Sequence, residues 1–428
     1  MLINNDLSIQ ISHIKIKNFR IIQDLDIDCS ERLNVFVGVN GAGKSTVLDA
    51  LKYLFSWFIA RINNAKGRGL TLLDEDITVG QNYCLLEITL SNGTSWKLYK
   101  HRSTDRVKPL DKSDLEEVTD LANNIVMMCD TNAYVCRLPL FARYGVNRVV
   151  TELPMRLRKR HALGPMEVYN STALNSGVNF RAFFEWFRER EDIENEAFRH
   201  SGRLVEDIQI KAVRKALRAI FPDYGELTVQ RSPRAFLMRK GNQMFHFEHL
   251  SDGEKCYITL VADIARRLAM ANPEAENPLE GKGVILIDEV DLHLHPTWQS
   301  EVIGRLRDTF PVCQFFITTH SPFVVSNVKT FDKEKFIPIS NGAVLESGLN
   351  PFGQPVDMIL LNSFRMESLR NRETKEHIDF LWSRLQKGDD QSREFNNGLE
   401  WLKQHLDPSD SEFVRIALER AKIRKNVL

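Results

Sequence analysis

The sequence predicts an α/β fold with a mixed central sheet, an antiparallel side sheet, a mainly helical insert and a helical C-terminal tail. The run Leu33–Val37 is largely apolar on both faces and indicates the central sheet, because a strand buried on both faces lacks the polar alternation of a half-buried one. A helix is predicted over residues 44–60. Apolar and polar residues alternate over residues 9–27, which is typical of half-buried antiparallel strands. Asn92-Gly93, between two further strand-like runs, favours a tight hairpin turn.

These patterns divide the chain into four regions. Residues 1–105 and 226–345 are predicted to form the N-terminal and C-terminal lobes of one α/β core. Residues 106–225 are charged, helix-forming and without the short strands seen before them, which predicts a mainly helical insert. Residues 346–428 carry apolar residues at helical spacing and are predicted to form the tail.

The overall composition does not indicate a particular partner. The 428 residues contain 57 Lys plus Arg and 57 Asp plus Glu, so a nucleic-acid surface is expected only as a local patch. The N-terminus lacks a basic segment followed by an apolar one, and no apolar run is long enough to span a bilayer. We therefore expect a cytoplasmic protein without a membrane partner.

The strongest motif is Gly-x-x-x-x-Gly-Lys-Ser at residues 38–45, between a predicted strand and a predicted helix. In such a P-loop, backbone N–H groups and the positive end of the helix surround phosphate oxygens. Lys44 is expected to contact the β- and γ-phosphates, Ser45 to bind Mg²⁺ and Thr46 to contact the α-phosphate. The other residues of the predicted nucleotide-binding loop are Asn40, Gly41, Ala42 and Gly43. The motif predicts that ATP and Mg²⁺ bind here.

A second motif is the apolar run at residues 283–287, which ends in Asp288 and Glu289. Alone, two acids after a strand are more often a capped strand end than a catalytic pair. Together with the P-loop they predict a Walker B motif. Asp288 is expected to hold the Mg²⁺ shell, and Glu289 is expected to act as general base towards the attacking water.

The segment Leu-Ser-Asp-Gly-Glu-Lys at residues 250–255 precedes a predicted helix. Alone, Ser251 with Glu254 three positions later indicates a capping box that needs no ligand. Its position between the P-loop and the Walker B strand favours a functional interpretation.

Two further segments follow the Walker B acids. Asp291 comes directly after them, and His320 follows an apolar run at residues 313–318. His293 and His295 are compatible with a metal pair, but no further ligand lies near them in the sequence, so loop packing is the favoured interpretation. The basic run at residues 156–161 is a candidate nucleic-acid contact, although such runs are more often solvated.

Together these motifs, the later Thr-Thr-His-Ser-Pro and an Asn-Phe-Arg segment before the P-loop resemble the SMC/RecF/OLD-type ATPases over residues 10–105 and 225–340. The resemblance implies an ABC/SMC-like P-loop ATPase head whose sites are completed in a head-to-tail homodimer or a dimer-based higher oligomer. The γ-phosphate on one copy would meet the signature of the other. That trans signature would comprise Ser251, Asp252, Gly253 and Glu254.

The same resemblance assigns further roles. Asp291 would be the D-loop aspartate between the two copies, and His320 would be the switch histidine that senses the γ-phosphate. Gln81 is the available glutamine for a Q-loop contact to the metal. Arg20, which ends the Asn-Phe-Arg segment, would border the nucleotide, although a solvated strand end explains it almost as well.

More narrowly, the helical insert with Phe-Phe-Glu-Trp-Phe-Arg-Glu-Arg-Glu at residues 183–191 and the helical tail resemble PtuA-type ATPases of Septu and retron antiphage systems. This implies a partner HNH nuclease of the PtuB type, and contact with nucleic acid or retron components. The chain itself is not expected to be a nuclease, because residues after 330 lack the acid set of a Toprim domain and no His-Asn-His pattern occurs.

Three alternatives remain open at this point. A RecF-like DNA-repair ATPase would need a stronger basic channel than this neutral chain displays. An ATP sensor with little turnover is opposed by the intact Glu289. An ABC transporter subunit is disfavoured by the long insert and the Asn-Phe-Arg segment.

Overall fold

The computed structural model describes residues 9–103, 109, 111–131, 137–148, 165–169, 174, 180–202, 206–231, 234–345 and 350–426. Contacts between Cα atoms divide the chain into two compact units, Met1–Ile359 and Leu360–Leu428. All three β-sheets belong to the first unit, whereas helices make up the second.

A six-stranded sheet forms the centre of the first unit. Its strands are β3 (Leu33–Val37), β6 (Leu140–Tyr144), β10 (Gly283–Ile287), β11 (Cys313–Thr319), β12 (Glu334–Ser340) and β13 (Ala343–Val344). Their order is β13-β12-β3-β11-β10-β6, and all neighbours are parallel except the β12–β13 pair. Strands β3, β10 and β11 are buried along their whole length, which explains why most of their residues are apolar.

The first unit also contains two antiparallel sheets, whose strands alternate along the chain with those of the central sheet. The side sheet has the order β2-β1-β4-β5, and a smaller sheet has the order β7-β8-β9. The strands of the side sheet are β1 (Ile11–Phe19), β2 (Ile22–Asp28), β4 (Tyr83–Leu90) and β5 (Ser95–His101), and those of the smaller sheet are β7 (Tyr224–Arg231), β8 (Arg234–Lys240) and β9 (Gln243–His246). The predicted combination of a mixed central sheet and an antiparallel side sheet is confirmed.

The helices of the first unit begin with α1, which follows the glycine-rich turn. They are α1 (Lys44–Asn63), α2 (Glu116–Thr131), α3 (Phe180–Ser201), α4 (Ile208–Ile220), α5 (Asp252–Ala271), α6 (Pro296–Thr309) and α7 (Pro322–Val325), with α8 (Val356–Asn362) at the boundary between units. None of the helices within the described residues is long and apolar enough to cross a membrane.

The prediction that residues 106–225 lack strands was wrong in one respect, because this insert contributes strand β6 to the central sheet. Strand β6 pairs in parallel with β10 and is fully buried. Its sequence, Leu-Phe-Ala-Arg-Tyr, is interrupted by Arg143, which hides the apolar run expected of a buried strand. The guanidinium of Arg143 donates to Asp49 Oδ1 on α1 at 2.5 Å, so the charge is buried as an ion pair.

The second unit comprises α9 (Arg372–Gln386), α10 (Arg393–His405) and α11 (Ser411–Asn426). These helices pack around a small apolar core of Ile378, Leu381, Leu385, Phe395, Leu402 and Ile416. The sequence placed the start of the tail at residue 346, whereas the compact unit starts at Leu360. Residues 350–353 are tied to the first unit, since Gly353 N donates to Ser326 O at 2.9 Å.

A buried charge cluster connects α5 to β6. Asp263 is fully buried and accepts hydrogen bonds from Arg266, from Arg267 and from the Tyr144 hydroxyl at 2.6–3.1 Å. Burial alone would raise the pKa of Asp263, but the two arginines outweigh burial and hold it well below its ordinary value. The carboxylate therefore stabilises the fold above about pH 4, and this contribution is lost as the pH falls through the lowered pKa.

We expect Asp263→Asn to lower the free energy of unfolding by about 3–5 kcal/mol, because it leaves two buried guanidinium groups without their counter-charge. Urea unfolding at pH 7 measures this loss. Glu419→Gln, which removes an exposed partner of Lys422, serves as control and is expected to change stability by less than about 0.5 kcal/mol. Equal stability of the two variants would contradict a structural role for the cluster.

Candidate functional site

The P-loop connects β3 to α1 and has the backbone shape that its glycines permit. Gly41 and Gly43 have φ angles of 76° and 109°, in the region that side chains with a Cβ rarely adopt. A Cβ on Gly38 would lie 2.2 Å from the carbonyl oxygen of Ile339 on β12. Asn40 and Gly41 are exposed, and Gly342 N donates to Ala42 O at 2.8 Å, so the base of the loop is held by the β12–β13 turn.

Lys44, the first residue of α1, is buried beneath this loop. Its Nζ donates to the carbonyl oxygens of Gly38 and Val39 at 2.9 and 3.0 Å. Burial lowers the pKa of Lys44, while the nearby acids Glu289, Asp288 and Asp291 oppose that shift. The ammonium group thus lies among the acids that follow β10. Thr46, in the same helical turn, is half-buried.

Ser45 and Asp288 meet directly, although they are far apart in sequence. Ser45 Oγ donates to Asp288 Oδ1 at 2.9 Å, and Thr318 Oγ1 on β11 donates to the same oxygen at 2.6 Å. Parallel strands β3, β11 and β10 are neighbours, so their carboxyl ends bring these oxygen atoms to one edge of the sheet. A hydroxyl and a carboxylate in contact are the oxygen ligands that Mg²⁺ prefers.

Glu289 occupies a strained position next to Asp288. Its φ angle is 48°, which is uncommon for a residue with a side chain. Its N–H donates to Thr318 Oγ1 at 2.7 Å, and the Arg148 guanidinium donates to the carbonyl oxygens of both Asp288 and Glu289 at 2.7 and 2.5 Å. These contacts hold the backbone that carries the candidate general base.

Asp291 and His320 form the next part of the site. Asp291 Oδ1 accepts hydrogen bonds from the Thr319 hydroxyl and from His320 N. Burial lowers the pKa of His320, and the charge of Lys44 lowers it further, so the imidazole is neutral at pH 7. His320 is therefore within electrostatic range of Lys44, and its role as switch histidine stays a prediction.

The signature segment begins α5. Ser251 is exposed and is the N-cap of this helix, where it forms a capping box with Glu254. Asp252 is exposed as well, whereas Gly253 is buried against the loop after β10, and a Cβ there would lie 2.1 Å from His293 O. Within the described residues, the hydrogen bonds of Ser251 stay inside the start of α5 and do not reach the P-loop of the same chain.

Other candidates lie apart from the Ser45–Asp288 contact. Arg20 has its guanidinium paired with Asp49 and Asp76 at 2.5 and 3.0 Å. Gln81 is exposed, and its backbone is hydrogen-bonded to Thr78 and to the Arg102 side chain. The structure gives neither residue a contact with the nucleotide loop, so both roles stay predictions.

The structure describes the histidine pair, His293 and His295, but not the basic run. His295 is the N-cap of α6, and its Nδ1 accepts from Thr297 N, which supports the loop-packing interpretation. Among the described residues, no group of three or more His, Cys, Asp or Glu residues is arranged to hold a metal. The basic run at residues 156–161 lies outside the described residues.

Sequence reasoning missed Arg148 and Thr318, which orient the two Walker B acids. Arg148 belongs to no recognised motif and lies far from Asp288 in sequence, whereas Thr318 is the first residue of the Thr-Thr-His-Ser-Pro segment, in which only His320 was given a role. A conceivable signal for Thr318 was a hydroxyl within a fully buried strand, since a buried polar group needs a partner. Arg148 gave no comparable signal.

We expect Arg148→Met to lower kcat at least about 10-fold while the Kd for ATP changes less than about 2-fold, because the Glu289 backbone loses two hydrogen bonds that fix it. Steady-state phosphate release and equilibrium nucleotide binding measure the two quantities. Arg372→Met removes an exposed guanidinium in the second unit and serves as control. An unchanged kcat would show that Arg148 does not position Glu289.

Comparisons with known proteins agree with this geometry. Models of AAA domains match residues 13–221 and 162–326. The Retron Ec83 probable ATPase of Escherichia coli is 28% identical over 480 residues, covering 97% of this chain and 87% of that protein. The Septu protein PtuA of Bacillus thuringiensis is 25% identical, covering 74% and 72%. The solved SMC head domain from Thermotoga maritima has a TM-score of 0.44 at 15% identity, covering 80% of this chain and 100% of that one.

The chain is a P-loop ATPase, as its AAA-domain matches and its ATPase relatives indicate. Its relatives include the retron ATPases and PtuA. The predicted ATPase and its predicted similarity to PtuA-type ATPases are thereby confirmed.

Proposed function

We propose that two copies of the chain bind ATP and Mg²⁺ between them, hydrolyse ATP at composite sites and thereby regulate a partner HNH nuclease. The observation that carries this proposal is the separation of Ser251 from its own P-loop. One chain brings Lys44, Ser45 and Asp288 together, while the hydrogen bonds of the exposed Ser251, among the residues that the structure describes, stay within the start of its own helix. A second copy can supply that serine to the γ-phosphate.

The residues present fit a Mg²⁺ ion with ATP. Ser45 Oγ and Asp288 Oδ1 would hold the ion, directly or through water, and the ion would neutralise charge on the β- and γ-phosphates. The P-loop backbone and Lys44 bind the phosphates themselves.

The chain's own residues support hydrolysis by positioning and proton transfer. Glu289 would accept a proton from the attacking water, and Arg148 and Thr318 fix its backbone. Neutral His320 would donate a hydrogen bond towards the γ-phosphate, with Asp291 holding the turn that carries it. The contribution of Ser251 would come from the other copy.

The dimer is tested by sedimentation equilibrium of the purified chain with and without ATP and Mg²⁺. We expect self-association that requires nucleotide and that weakens at least about 10-fold in Ser251→Ala, because a hydrogen bond to a charged phosphate is lost. A wild-type chain that binds ATP and stays monomeric at every concentration would refute the composite site.

The nuclease partner is proposed from the resemblance to PtuA-type ATPases, of which PtuA and the retron ATPases are relatives of this chain, and not from a surface on this chain. The test is the reading frame next to the gene, followed by co-purification of its product. We expect a small HNH protein that co-purifies with this chain and whose DNA cleavage changes when ATP is added. An HNH neighbour that neither binds the chain nor responds to ATP would contradict the proposal.

A further inference from the structure

We propose that Lys240 and Tyr224 are positioning residues for the signature serine, which they control through Glu254. The inference rests on the proposed function, because it assumes that Ser251 meets the γ-phosphate on another copy. No motif includes either residue: Tyr224 opens β7 and Lys240 ends β8.

The Glu254 carboxylate bridges the signature turn and the small sheet. Its Oε2 accepts hydrogen bonds from Ser251 N and from Ser251 Oγ, both at 2.8 Å. Its Oε1 accepts from Lys240 Nζ at 2.8 Å and from the Tyr224 hydroxyl. The carboxylate therefore orients the Ser251 hydroxyl through Oε2, while Lys240 and Tyr224 orient the carboxylate through Oε1.

Fixing this carboxylate matters because its terminal torsion is otherwise soft. The last side-chain torsion of a glutamate has a broad distribution, so a single bond to Ser251 would not hold the carboxylate plane. Glu254 is also partly buried, with 17% of its side chain exposed. Burial raises the pKa of Glu254, but the bonds from Lys240, Tyr224 and Ser251 outweigh burial and lower it to about 2.

An ionised Glu254 would repel a nearby γ-phosphate, and the positive charge of Lys240 offsets that repulsion. In the present arrangement the Ser251 hydroxyl donates to Glu254, so it must turn away to donate to a phosphate oxygen. The carboxylate that it leaves would repel the phosphate unless a cation compensates it. Lys240 supplies that charge, and the Tyr224 hydroxyl still donates to Oε1, so that Glu254 stays in place.

Lys240 and Tyr224 are well placed to act as a unit. They lie directly opposite each other in the β7–β8 ladder, and Lys240 Nζ lies 5.0 Å from the centre of the Tyr224 ring. The Tyr224 ring packs edge-on against Phe221, which packs in turn against Tyr257 of α5. The small sheet is thus anchored to the helix that carries the signature.

The test compares Lys240→Met and Tyr224→Phe with the wild-type chain in two measurements. The Kd of the chain for nucleotide is expected to change less than about 2-fold, because the P-loop is untouched. The Kd for ATP-dependent self-association is expected to rise at least about 10-fold, because Ser251 is no longer oriented. Lys240→Arg keeps the charge and is expected to restore most of the association.

Lys403→Met is the matched control. Lys403 pairs with Glu400 at 2.8 Å, the same distance as the Lys240–Glu254 pair, but lies in the C-terminal unit. We expect it to behave as wild type. An equal loss of association in Lys403→Met, or no rescue by Lys240→Arg, would contradict a positioning role.

A double-mutant cycle tests whether the effect passes through Glu254. In a Glu254→Gln background, Lys240→Met is expected to weaken association by less than about a further 2-fold, because the group that it orients has already lost its charge. A full and additive loss in the double variant would show that Lys240 acts elsewhere.

Ser251→Ala separates this inference from the proposed function. Association that is insensitive to Ser251→Ala overturns both, since the serine then does not complete the other site. Association that is weakened by Ser251→Ala but unaffected by Lys240→Met and Tyr224→Phe overturns only the inference.

Discussion

Glu289→Gln is expected to lower kcat for ATP hydrolysis by about 10²–10⁴-fold, because it removes the carboxylate that accepts a proton from the attacking water. Glutamine has the same size and makes the same backbone contacts, so the strained turn at φ 48° is retained. The Kd for ATP is expected to change less than about 3-fold, and ATP-bound dimers are expected to accumulate. Phosphate release measures kcat, equilibrium nucleotide binding measures the Kd for ATP, and sedimentation measures the accumulation of dimers.

The control for this variant is Glu276→Gln, which changes an exposed carboxylate in the loop after α5. It is expected to hydrolyse ATP at the wild-type rate. If the wild-type rate is itself negligible and Glu289→Gln leaves it unchanged, the chain is an ATP sensor with little turnover.

Lys44→Ala is expected to weaken ATP binding at least about 100-fold. The ammonium group makes charge-assisted bonds to the phosphates, and the loss of two such bonds exceeds about 2.7 kcal/mol. Because Lys44 is already desolvated by the loop, its contacts with phosphate are made without competition from bulk water. Titration with a fluorescent ATP analogue measures the change.

Lys52→Ala on the same helix is the matched control. Lys52 is half-buried, and its pKa is lowered by burial and by the neighbouring Arg143. Its removal is expected to leave the Kd for ATP within about 2-fold of wild type. Nucleotide affinity that survives in Lys44→Ala would mean that the loop does not bind phosphate as we describe.

Local sequence predicted the parts of the fold that local physics determines. Each of three features is indicated by a few neighbouring residues: the largely apolar strands β3, β10 and β11, the Asn-Gly hairpin of the side sheet and the glycine-rich turn before α1. Their motifs indicated which side chains belong to one site. The contact between Ser45 and Asp288 then follows from the parallel order of the strands.

Long-range contacts were not predictable in the same way. Strand β6 was hidden by Arg143, whose buried charge is acceptable only because Asp49 of α1 lies opposite it. Arg148 contacts Asp288, which is 140 positions further along the chain, and Lys240 contacts Glu254 from another element 14 positions before it. Nothing in the sequence near either residue marks that role. Such pairings depend on the tertiary structure. The periodicity of a single sequence does not specify them.

The composite site is tested most directly by mixing two variants that are each inactive. Lys44→Ala lacks the phosphate lysine but has an intact Ser251, whereas Ser251→Ala has an intact P-loop. In a mixed dimer, one of the two sites combines both intact parts. We predict that equal mixing restores ATPase activity, to about a quarter of the wild-type rate at protein concentrations at which pairing is random, because half of the dimers are then mixed and each mixed dimer has one intact site out of two. Two folded variants that remain inactive at every mixing ratio would contradict the account.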